Sequence, residues 1–331
     1  MKLSYSKIRC YRTCQTEYWL KYVLGIIRSE DEDRFRIGTN WHDLQANVTP
    51  LPKAKQLAAV IETLDKAYDT QTIPEHLMET FAIEYRKLLH SYLAWSEYWK
   101  EDNKNYKIKV PPEQRIAVNY PPTLHLVGVI DLIPEDKTGK RWVREYKTTS
   151  EDIADGSDYW KNVQRDIQTS LYVILARAAG YDVQGVQYDV FRKPQIKPKK
   201  PVKKEISGEG TQISYLGVAV NPDDFSAELE TPVMFGIRLQ QHIMEKPEYY
   251  FARKEIPCTQ ADIDRAWKTV QNTAKQIKYV TKNNLWVDDS NRCLEYGKCQ
   301  YWSICSQNIN PEKELPIGFE RRNDARTKNK K

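Results

Sequence analysis

The sequence contains no long apolar run. None of its 331 residues falls in a stretch that approaches the roughly 18 apolar residues a membrane-spanning helix needs. The first ten residues, MKLSYSKIRC, also lack the apolar segment of a secretory signal. Charged residues make up 29% of the chain, and the mean hydropathy is -0.71. We therefore expect a polar, cytoplasmic protein without a membrane partner.

Cysteine is scarce, and the six cysteines are unevenly spread: Cys10, Cys14, Cys258, Cys293, Cys299 and Cys305. A reducing cytoplasm disfavours disulfides, so clustered thiols in such a protein more often bind a metal. The last three cysteines follow one another at C-x5-C-x5-C spacing. Cys10 and Cys258 have no partner in this pattern, and we expect them to be small core residues.

A strong excess of one charge is also missing. The formal net charge of +6 and the pI of about 8.8 are compatible with a polyanionic partner but do not establish one. Nine Trp and 21 Tyr provide rings on which bases can stack, although we expect most of them in the core. Composition thus leaves nucleic acid as one partner class among several.

The hydrophobic pattern predicts a mixed α/β fold without internal repeats. Helical spacing over residues 54–102 indicates a helical insertion at about residues 43–110. A long amphipathic helix is predicted over Asp158–Gly180. We expect residues 1–310 to form a single domain. Residues 311–331 are expected to be a basic, disordered tail, because the end of the chain, ERRNDARTKNKK, has almost no apolar residues.

Two strand-like runs, Leu124–Ile133 and Arg141–Thr148, predict a β-hairpin around the turn sequence PEDKTG. Side chains alternate along a strand, so Glu145 and Lys147 share one face. Asp131 lies near the end of the first run and is expected to lie opposite Glu145. The hairpin therefore brings two carboxylates and one lysine to a single face.

This trio suits metal-dependent phosphate chemistry. Mg²⁺ prefers octahedral oxygen ligands and keeps several waters, so one or two carboxylates and a substrate phosphate suffice to hold it. The metal can polarise a phosphoryl oxygen and activate a bound water. A neighbouring lysine can orient that water or stabilise negative charge. The simpler alternative is a solvated hairpin face with an ordinary Glu–Lys pair, because the pattern E-x-K is common by chance.

Three further polar residues occupy positions at which they could join such a site. His42 lies near the start of a helix predicted from GTNWHDLQANV, and neutral imidazole can complete a metal shell. Gln168 and Tyr172 are four residues apart on the predicted helix after the hairpin and share a face. Each has a simpler alternative. A lone histidine is more often an ordinary surface or core residue, and a Gln–Tyr pair more often serves helix packing.

Taken in chain order, these residues resemble a known family. The motifs are GTNWH with His42, GVID with Asp131, EYK from Glu145 to Lys147 and QTSLY from Gln168 to Tyr172. Their order and spacing resemble the RecB-type branch of the PD-(D/E)XK nuclease superfamily, which includes phage RecB-like exonucleases. The resemblance implies a restriction-endonuclease-like core, with helices on both sides of a mixed central sheet.

The same resemblance implies a role for each matching residue. It implies three metal ligands: His42, Asp131 and Glu145. It implies that Lys147 is a catalytic lysine, and that Gln168 and Tyr172 help to position DNA or that lysine. Asp131 and Glu145 would thus be both metal ligands and catalytic residues.

The cysteines extend the resemblance to the iron–sulfur branch of these nucleases, which includes the CRISPR-adaptation nucleases. In that branch one early and three late cysteines hold a 4Fe–4S cluster, for which four thiolates are the usual complement. The resemblance implies four ligands: Cys14, Cys293, Cys299 and Cys305. Segment 293–305 would then be joined to the N-terminal helix through Cys14. Tetrahedral zinc on the same thiolates and unligated cysteines remain alternatives.

Basic and aromatic residues outside the motifs are candidate DNA contacts. The loop lysines in question are Lys197, Lys199, Lys200, Lys203 and Lys204. In a nuclease we expect them, together with the basic tail, to contact the phosphate backbone, although such a run is often only a solvated loop. Tyr159 and Trp160 are candidates for stacking on unpaired bases.

Three hypotheses follow. The first is a Mg²⁺- or Mn²⁺-dependent DNA nuclease, an exonuclease acting on single strands or ends, with a structural 4Fe–4S cluster. The second is a DNA-end-processing subunit of a recombination, repair or CRISPR-adaptation assembly, with a helicase, recombinase or integrase as partner. The third is a non-catalytic DNA-binding module, against which the intact Asp131, Glu145 and Lys147 argue.

Overall fold

In this computed structural model, helices pack on both sides of small β-sheets. The structure describes residues 1–29, 33–69, 73–120, 124–209, 212–295 and 298–322, with the side chains of residues 33–35 outside the description. The α-helices among them are α1 (Tyr5–Thr13), α2 (Gln15–Tyr18), α3 (Asp33–Asn47), α4 (Lys53–Ala67), α5 (Met78–Tyr98), α6 (Lys100–Asn103), α7 (Asp158–Arg165), α8 (Ile167–Ala178), α9 (Pro232–Glu245), α10 (Pro247–Tyr250), α11 (Gln260–Asn283) and α12 (Trp302–Ser306). The strands are β1 (Lys2–Leu3), β2 (Ile26–Arg28), β3 (Tyr106–Val110), β4 (Gln114–Tyr120), β5 (Leu124–Ile130), β6 (Ile133–Asp136), β7 (Val143–Thr149), β8 (Gly185–Arg192), β9 (Ile206–Ser207), β10 (Ser214–Tyr215), β11 (Val218–Ala219), β12 (Phe251–Pro257) and β13 (Phe319–Arg321).

Two three-stranded sheets meet at the predicted hairpin. In one, β5 is parallel to β1 and antiparallel to β4. In the other, β8 is parallel to β7 and antiparallel to β12. Antiparallel bridges from Leu132 to Arg144 and from Glu135 to Arg141 connect the end of the first sheet to β7. The prediction of a mixed α/β fold is confirmed, but the described strands form several small sheets instead of one continuous sheet.

Two apolar cores lie on opposite faces of these sheets because side chains alternate along the strands. Val143 and Val186 belong to a core that α1, α8 and α11 cover. Tyr146 and Phe191 belong to a second core that α3, α4, α5 and α9 cover. The strands that carry the candidate site are therefore held between two layers of helices.

The helical insertion expected at about residues 43–110 belongs to this second layer. Its helices α4 and α5 bury Val60 and Leu88 in the same core as Phe251 from β12. Its boundaries differ from the prediction at both ends. At the start, α3 continues to Asn47, and at the end residues Tyr106–Val110 form β3, which pairs with β6.

Three predicted elements have different bounds. The expected strand Leu124–Ile133 is interrupted, because β5 ends at Ile130 and β6 starts at Ile133. The expected helix Asp158–Gly180 is divided at Asp166, which has extended backbone angles. The Asp166 carboxylate accepts from the Gln168 backbone N–H at 2.9 Å, so it caps a new helix. The helix that contains His42 starts at Asp33, which places His42 in its middle.

Part of the predicted disordered tail, residues 311–331, is ordered. Phe319–Arg321 form β13, which pairs with β2 near the N-terminus. This pairing satisfies the backbone of a segment that has few apolar side chains of its own. Residues 323–331 lie outside the described residues.

A search of the described residues for membrane-spanning helices finds none that combines the required length with the required apolarity.

Candidate active site

Asp131 and Glu145 face each other between the two sheets. The bridge from Leu132 to Arg144 is antiparallel, so the next pair outward along the two segments is Asp131 and Glu145. Their exposed fractions are only 8% and 3%. The predicted juxtaposition of these two carboxylates is therefore present, and both are withdrawn from solvent.

Only one of the two Glu145 carboxylate oxygens has hydrogen-bond partners among the described residues. Its Oε1 atom accepts from the Lys147 ammonium at 2.7 Å and from the Gln168 Nε2 amide at 2.9 Å. The other oxygen, Oε2, is buried and has no hydrogen-bond partner among the described residues. A buried carboxylate oxygen without a donor is costly unless a cation or water occupies the space beside it.

One neighbour of Asp131 stabilises its charged form, and another destabilises it. Its Oδ2 atom accepts from the Tyr146 backbone N–H at 2.9 Å, which fixes the carboxylate at the end of β5. Burial, followed by the negative charge of Glu145, raises the pKa of Asp131 well above its usual value, and the Tyr146 hydrogen bond lowers it in part. A divalent cation placed between the two carboxylates would relieve this repulsion.

His42 reaches the same point from α3. Its Nδ1 atom lies 3.6 Å from Asp131 Oδ2. Burial lowers the pKa of the His42 imidazole, so the ring is neutral near pH 7 and able to act as a ligand. Gly38 allows this approach, because a Cβ there would lie 3.0 Å from Thr148 Oγ1 on β7. Gly38 and His42 are four residues apart and share that helix face.

Glu113 is a site residue that the sequence analysis did not identify. Ligand atoms of His42, Glu113 and Asp131 all lie within 4.8 Å of one another. Glu113 has a positive φ of 57°, and its backbone N–H donates to the Asp131 carbonyl at 3.3 Å. Burial, followed by the charges of Glu145 and Asp43, raises the pKa of its carboxyl. The sequence feature that could have identified Glu113 is its position directly before β4, the strand that pairs with β5.

Helix α8 supplies the remaining predicted residues. The Gln168 amide contacts both Glu145 Oε1 and the Tyr172 hydroxyl, the latter at 3.0 Å. This helix lies close to β5 because Gly128 has no side chain, and a Cβ there would lie 2.6 Å from Leu175 Cδ1. Burial and then Glu145 raise the pKa of Tyr172, so its hydroxyl stays protonated. The structure thus brings Gln168, Tyr172, Lys147 and Glu145 together.

The donor set fits a hard divalent cation. Carboxylate oxygens dominate, one imidazole nitrogen is added, and no described residue donates a hydrogen bond to Glu145 Oε2. Oxygen ligands of this kind suit Mg²⁺ and Mn²⁺. Lys147 lies beside the ligands on the same face of β7, with its side chain 31% exposed.

The predicted cluster cysteines lie where the N-terminal and C-terminal segments of the chain meet. Burial raises the pKa of the Cys305 thiol to about 12, and the charges of Cys14, Cys299 and Cys293 also raise it. The Cys299 backbone N–H donates to the Cys293 carbonyl at 2.9 Å. Around these thiols, Leu20 and Ile26 pack against Tyr301 and Ile304, so the N-terminal and C-terminal segments share one small core.

The two remaining cysteines lie in apolar surroundings. Cys258 is buried, and its thiol lies 3.6 Å from the Ser170 hydroxyl. Cys10 packs against the first core, and burial raises its pKa to about 12. The charges of Cys14 and Cys299, two of the four predicted ligands, also raise that pKa.

Two of the five loop lysines that were predicted to contact DNA form ion pairs within the protein. Lys199 forms an ion pair with Glu205 at 2.6 Å, and Lys200 forms one with Glu228 at 2.9 Å. The other three loop lysines are exposed: Lys197, Lys203 and Lys204. Two of the five predicted contacts therefore have carboxylate partners already.

The expected base-stacking role of Trp160 is wrong, because the ring is 2% exposed and its Nε1 donates to the Ile153 carbonyl at 2.8 Å. Trp160 is therefore a core residue. Tyr159 is partly exposed, and Glu145 is among the groups that raise its pKa after burial, which places it near the candidate site.

Comparison with known proteins agrees with this geometry. A profile of the PD-(D/E)XK nuclease superfamily matches residues 2–306. No curated protein gives a significant match. A solved structure described as "Crystal structure of SSO0001" is 13% identical and covers 85% of this chain and 97% of its own, but its TM-score of 0.27 supports no argument. The superfamily indicates a divalent-metal-dependent, hydrolytic nuclease with DNA as its substrate. Because the profile matches most of the sequence and includes the candidate site, the chain belongs to the PD-(D/E)XK nuclease superfamily.

Proposed function

We propose that this chain is a Mg²⁺- or Mn²⁺-dependent exonuclease of the RecB type, which acts on single-stranded DNA or DNA ends and contains a structural 4Fe–4S cluster. The observation that carries the catalytic part is the buried carboxylate pair Asp131 and Glu145. Glu145 Oε2 has no hydrogen-bond partner in the part of the chain that the structure describes, and Lys147 binds the other oxygen of the same carboxylate.

Four residues would hold the metal ion: His42, Glu113, Asp131 and Glu145. The first three offer ligand atoms within 4.8 Å of one another. Glu145, the residue paired with Asp131, would add its buried Oε2, which has no hydrogen-bond partner in the described part of the chain. When bound, the ion would polarise a phosphoryl oxygen of DNA and lower the pKa of a coordinated water.

The protein groups around the ligands have separate tasks. Lys147 carries a positive charge next to Glu145, where negative charge grows on the reacting phosphate, and it can also orient the attacking water. The Gln168 amide fixes the Glu145 carboxylate, so that Oε2 points away from the lysine. Tyr172 in turn accepts from that amide and holds it in place. These three residues keep the carboxylate in one orientation before DNA binds.

The cysteines support a cluster that joins the two ends of the chain. Cys299 and Cys305 pack against the small core that Leu20 and Ile26 share with Tyr301 and Ile304, so thiols of the C-terminal segment lie beside the N-terminal segment. Four thiolates are the usual complement of a 4Fe–4S cluster. Tetrahedral zinc on the same four thiolates is the alternative.

A digestion series tests the catalytic proposal. End-labelled single- and double-stranded DNA with free, blocked and circular ends is incubated with the purified protein in Mg²⁺ or Mn²⁺. We expect linear strands with free ends to be degraded, circles to survive, and Asp131→Ala to be inactive. The matched control Asp264→Ala changes an exposed carboxylate on α11 and should retain activity.

Each other outcome points to a different function. Cleavage of circular single strands would replace the exonuclease assignment with an endonuclease. Cleavage that requires an added helicase, recombinase or integrase would indicate the end-processing subunit of an assembly. DNA binding without any cleavage and without metal binding would indicate a non-catalytic module.

A further inference from the structure

A cavity of about 320 Å³ lies between α1 and the junction of α7 with α8. Three arginines line it: Arg9 and Arg12 from α1, and Arg165 from the end of α7. Arg9 and Arg12 are three residues apart, so they lie on the same side of α1. Cationic groups from two helices therefore converge on one concave surface, which we call the arginine cavity.

Positive charge exceeds negative charge in the arginine cavity. Asp166 is the one carboxylate that lines it, and both of its oxygens have partners within the chain. Its Oδ2 accepts from the Tyr5 hydroxyl at 2.5 Å, and its Oδ1 accepts from the Gln168 backbone N–H at 2.9 Å. Over the described ranges, none of the three arginines forms an ion pair with a carboxylate. The cavity therefore presents three guanidinium groups and one carboxylate, and Arg9 also forms a hydrogen bond with the Tyr5 hydroxyl.

The arginine cavity lies next to the candidate active site. Asp166 and Ile167 line it, and Gln168, the next residue of α8, donates its side-chain amide to Glu145. One helical turn rises only about 5.4 Å, so the cavity and the site share the first turn of α8. A DNA strand bound at Glu145 has further phosphates on either side of the reacting one, and a neighbouring anion-binding cavity could hold one of them.

We propose that the arginine cavity binds a phosphate group of the DNA strand next to the phosphate that is cleaved. Guanidinium groups form paired, charge-assisted hydrogen bonds with phosphate oxygens, and an open cavity of this size admits a phosphate with its flanking sugars. This inference rests on the proposed function and deepens it, because it assigns the path of the substrate strand along α1 and α8. The bound group is either an internal backbone phosphate or a phosphate at the 5′ end.

The test measures binding, not cleavage. The full-length protein is titrated into a fluorescein-labelled oligothymidylate in EDTA, over a series of salt concentrations. For Arg9→Gln/Arg12→Gln, we expect affinity to fall about tenfold or more, since each charged hydrogen bond contributes substantially. The slope of log affinity against log salt should fall by about 0.7 for each lost phosphate contact, or about 1.4 for two.

The control is Lys268→Gln/Lys275→Gln, which removes the same charge from exposed positions of α11. It should leave the salt slope within error of the wild type. Arg165→Gln gives an independent measurement if the double variant folds poorly, and its expected slope change is about 0.7. If the cavity variants bind like the lysine control, the inference is wrong.

Two further arms identify the bound group. If the cavity variants weaken binding only of 5′-phosphorylated strands, the cavity holds the terminal phosphate. If they weaken binding of 5′-hydroxyl strands equally, it holds a backbone phosphate. The experiment also distinguishes failure of this inference from failure of the proposed function. Intact cleavage with unaltered binding in the variants overturns only this inference. Absence of cleavage in the wild type overturns the nuclease proposal, and with it the position of the bound phosphate next to a cleaved one, whereas the measured phosphate contact itself would stand.

Discussion

Gln168 donates its side-chain amide to Glu145 Oε1 at 2.9 Å, across the gap between α8 and β7. The same oxygen also accepts the Lys147 ammonium at 2.7 Å. Both donors therefore bind one oxygen of the carboxylate, and the other oxygen, Oε2, is buried without a partner among the described residues. This division fixes the orientation of Glu145 and leaves one oxygen available to a cation, and the predictions for the site follow from it.

We expect Asp131→Asn to eliminate metal binding while stabilising the metal-free protein. Two buried carboxylates face each other in the wild type, and Asn keeps an oxygen that can accept from the Tyr146 backbone N–H. Removing one charge relieves the repulsion, and each kcal/mol gained would raise Tm by about 2 °C. Cleavage should fall by about 10³-fold or more, because the metal contributes several kcal/mol to the barrier. Thermal unfolding with and without Mn²⁺ measures both effects, and a variant that Mn²⁺ still stabilises would contradict the assignment.

For Gln168→Leu, we expect kcat to fall by roughly 10- to 100-fold with little change in KM for DNA. The substitution leaves Glu145 held by Lys147 alone, so the carboxylate can rotate and Oε2 is no longer presented to the metal. Tyr172→Phe is the matched comparison, because it removes only the second partner of the amide and should cost less. Steady-state kinetics together with Mn²⁺ titration separates this positioning effect from a loss of folding. Equal losses of activity in the two variants would argue against it.

The sequence predicted the hairpin face but not the whole site, and the reason lies in the range of the interactions. Asp131 and Glu145 could be matched because strand alternation and a short turn set their register locally. Glu113 could not, since it reaches Asp131 through the pairing of β4 with β5 and a positive φ. The helix break at Asp166 could have been predicted, because aspartate is a strong N-cap residue. The apolar pattern continues across Asp166, however, and it favoured a single helix. Burial of Trp160 depends on tertiary packing that no local pattern encodes.

We expect Glu113→Gln to weaken Mn²⁺ binding about tenfold or more while leaving the fold unchanged. Glu113 is an exposed residue whose carboxylate lies within 4.8 Å of His42 and Asp131 ligand atoms, so its loss removes one negatively charged ligand. Isothermal titration with Mn²⁺ in the absence of DNA measures the change. Glu101→Gln, an exposed carboxylate on α6, serves as the control and should bind Mn²⁺ like the wild type. An unchanged Kd in Glu113→Gln would remove this residue from the site.

Substitution of Cys293 or Cys305 by Ala should reduce bound iron from about four atoms per chain and lower Tm. The physical reason is that the cluster would connect the N-terminal helices to the C-terminal segment, so its loss leaves these segments held by the small core around Tyr301 and by the pairing of β13 with β2. Iron analysis, visible absorption and thermal unfolding of anaerobically purified protein provide the measurements. Cys10→Ala is a stringent control, because Cys10 is a neighbour of Cys14 outside the assigned set and should keep the iron. Stoichiometric zinc in a colourless wild-type protein would establish the zinc alternative.

The last prediction concerns the attachment of the helical insertion to the sheets. Arg253 on β12 is 4% exposed and donates from Nε to Asp189 on β8 at 3.0 Å, and it also contacts Asp102 at the end of the insertion. Trp95 of α5 donates from Nε1 to the same Asp189 at 3.0 Å. One buried carboxylate thus connects the insertion to both strands, so the insertion should unfold together with the core.

We expect Arg253→Met to destabilise the protein by about 3–5 kcal/mol, because among the described residues it leaves the buried Asp189 with the indole N–H of Trp95 as its single side-chain hydrogen-bond partner. Lys254→Met is the neighbouring control. Its ammonium pairs with Asp155, whose side chain is 90% exposed, so its loss should cost about 1 kcal/mol or less. Urea unfolding followed by both tryptophan fluorescence and circular dichroism measures the difference and tests for a single transition. If Arg253→Met instead produced two separate transitions, with the sheet core as stable as in the wild type, the insertion would be an independently folding unit and not a layer of the nuclease fold.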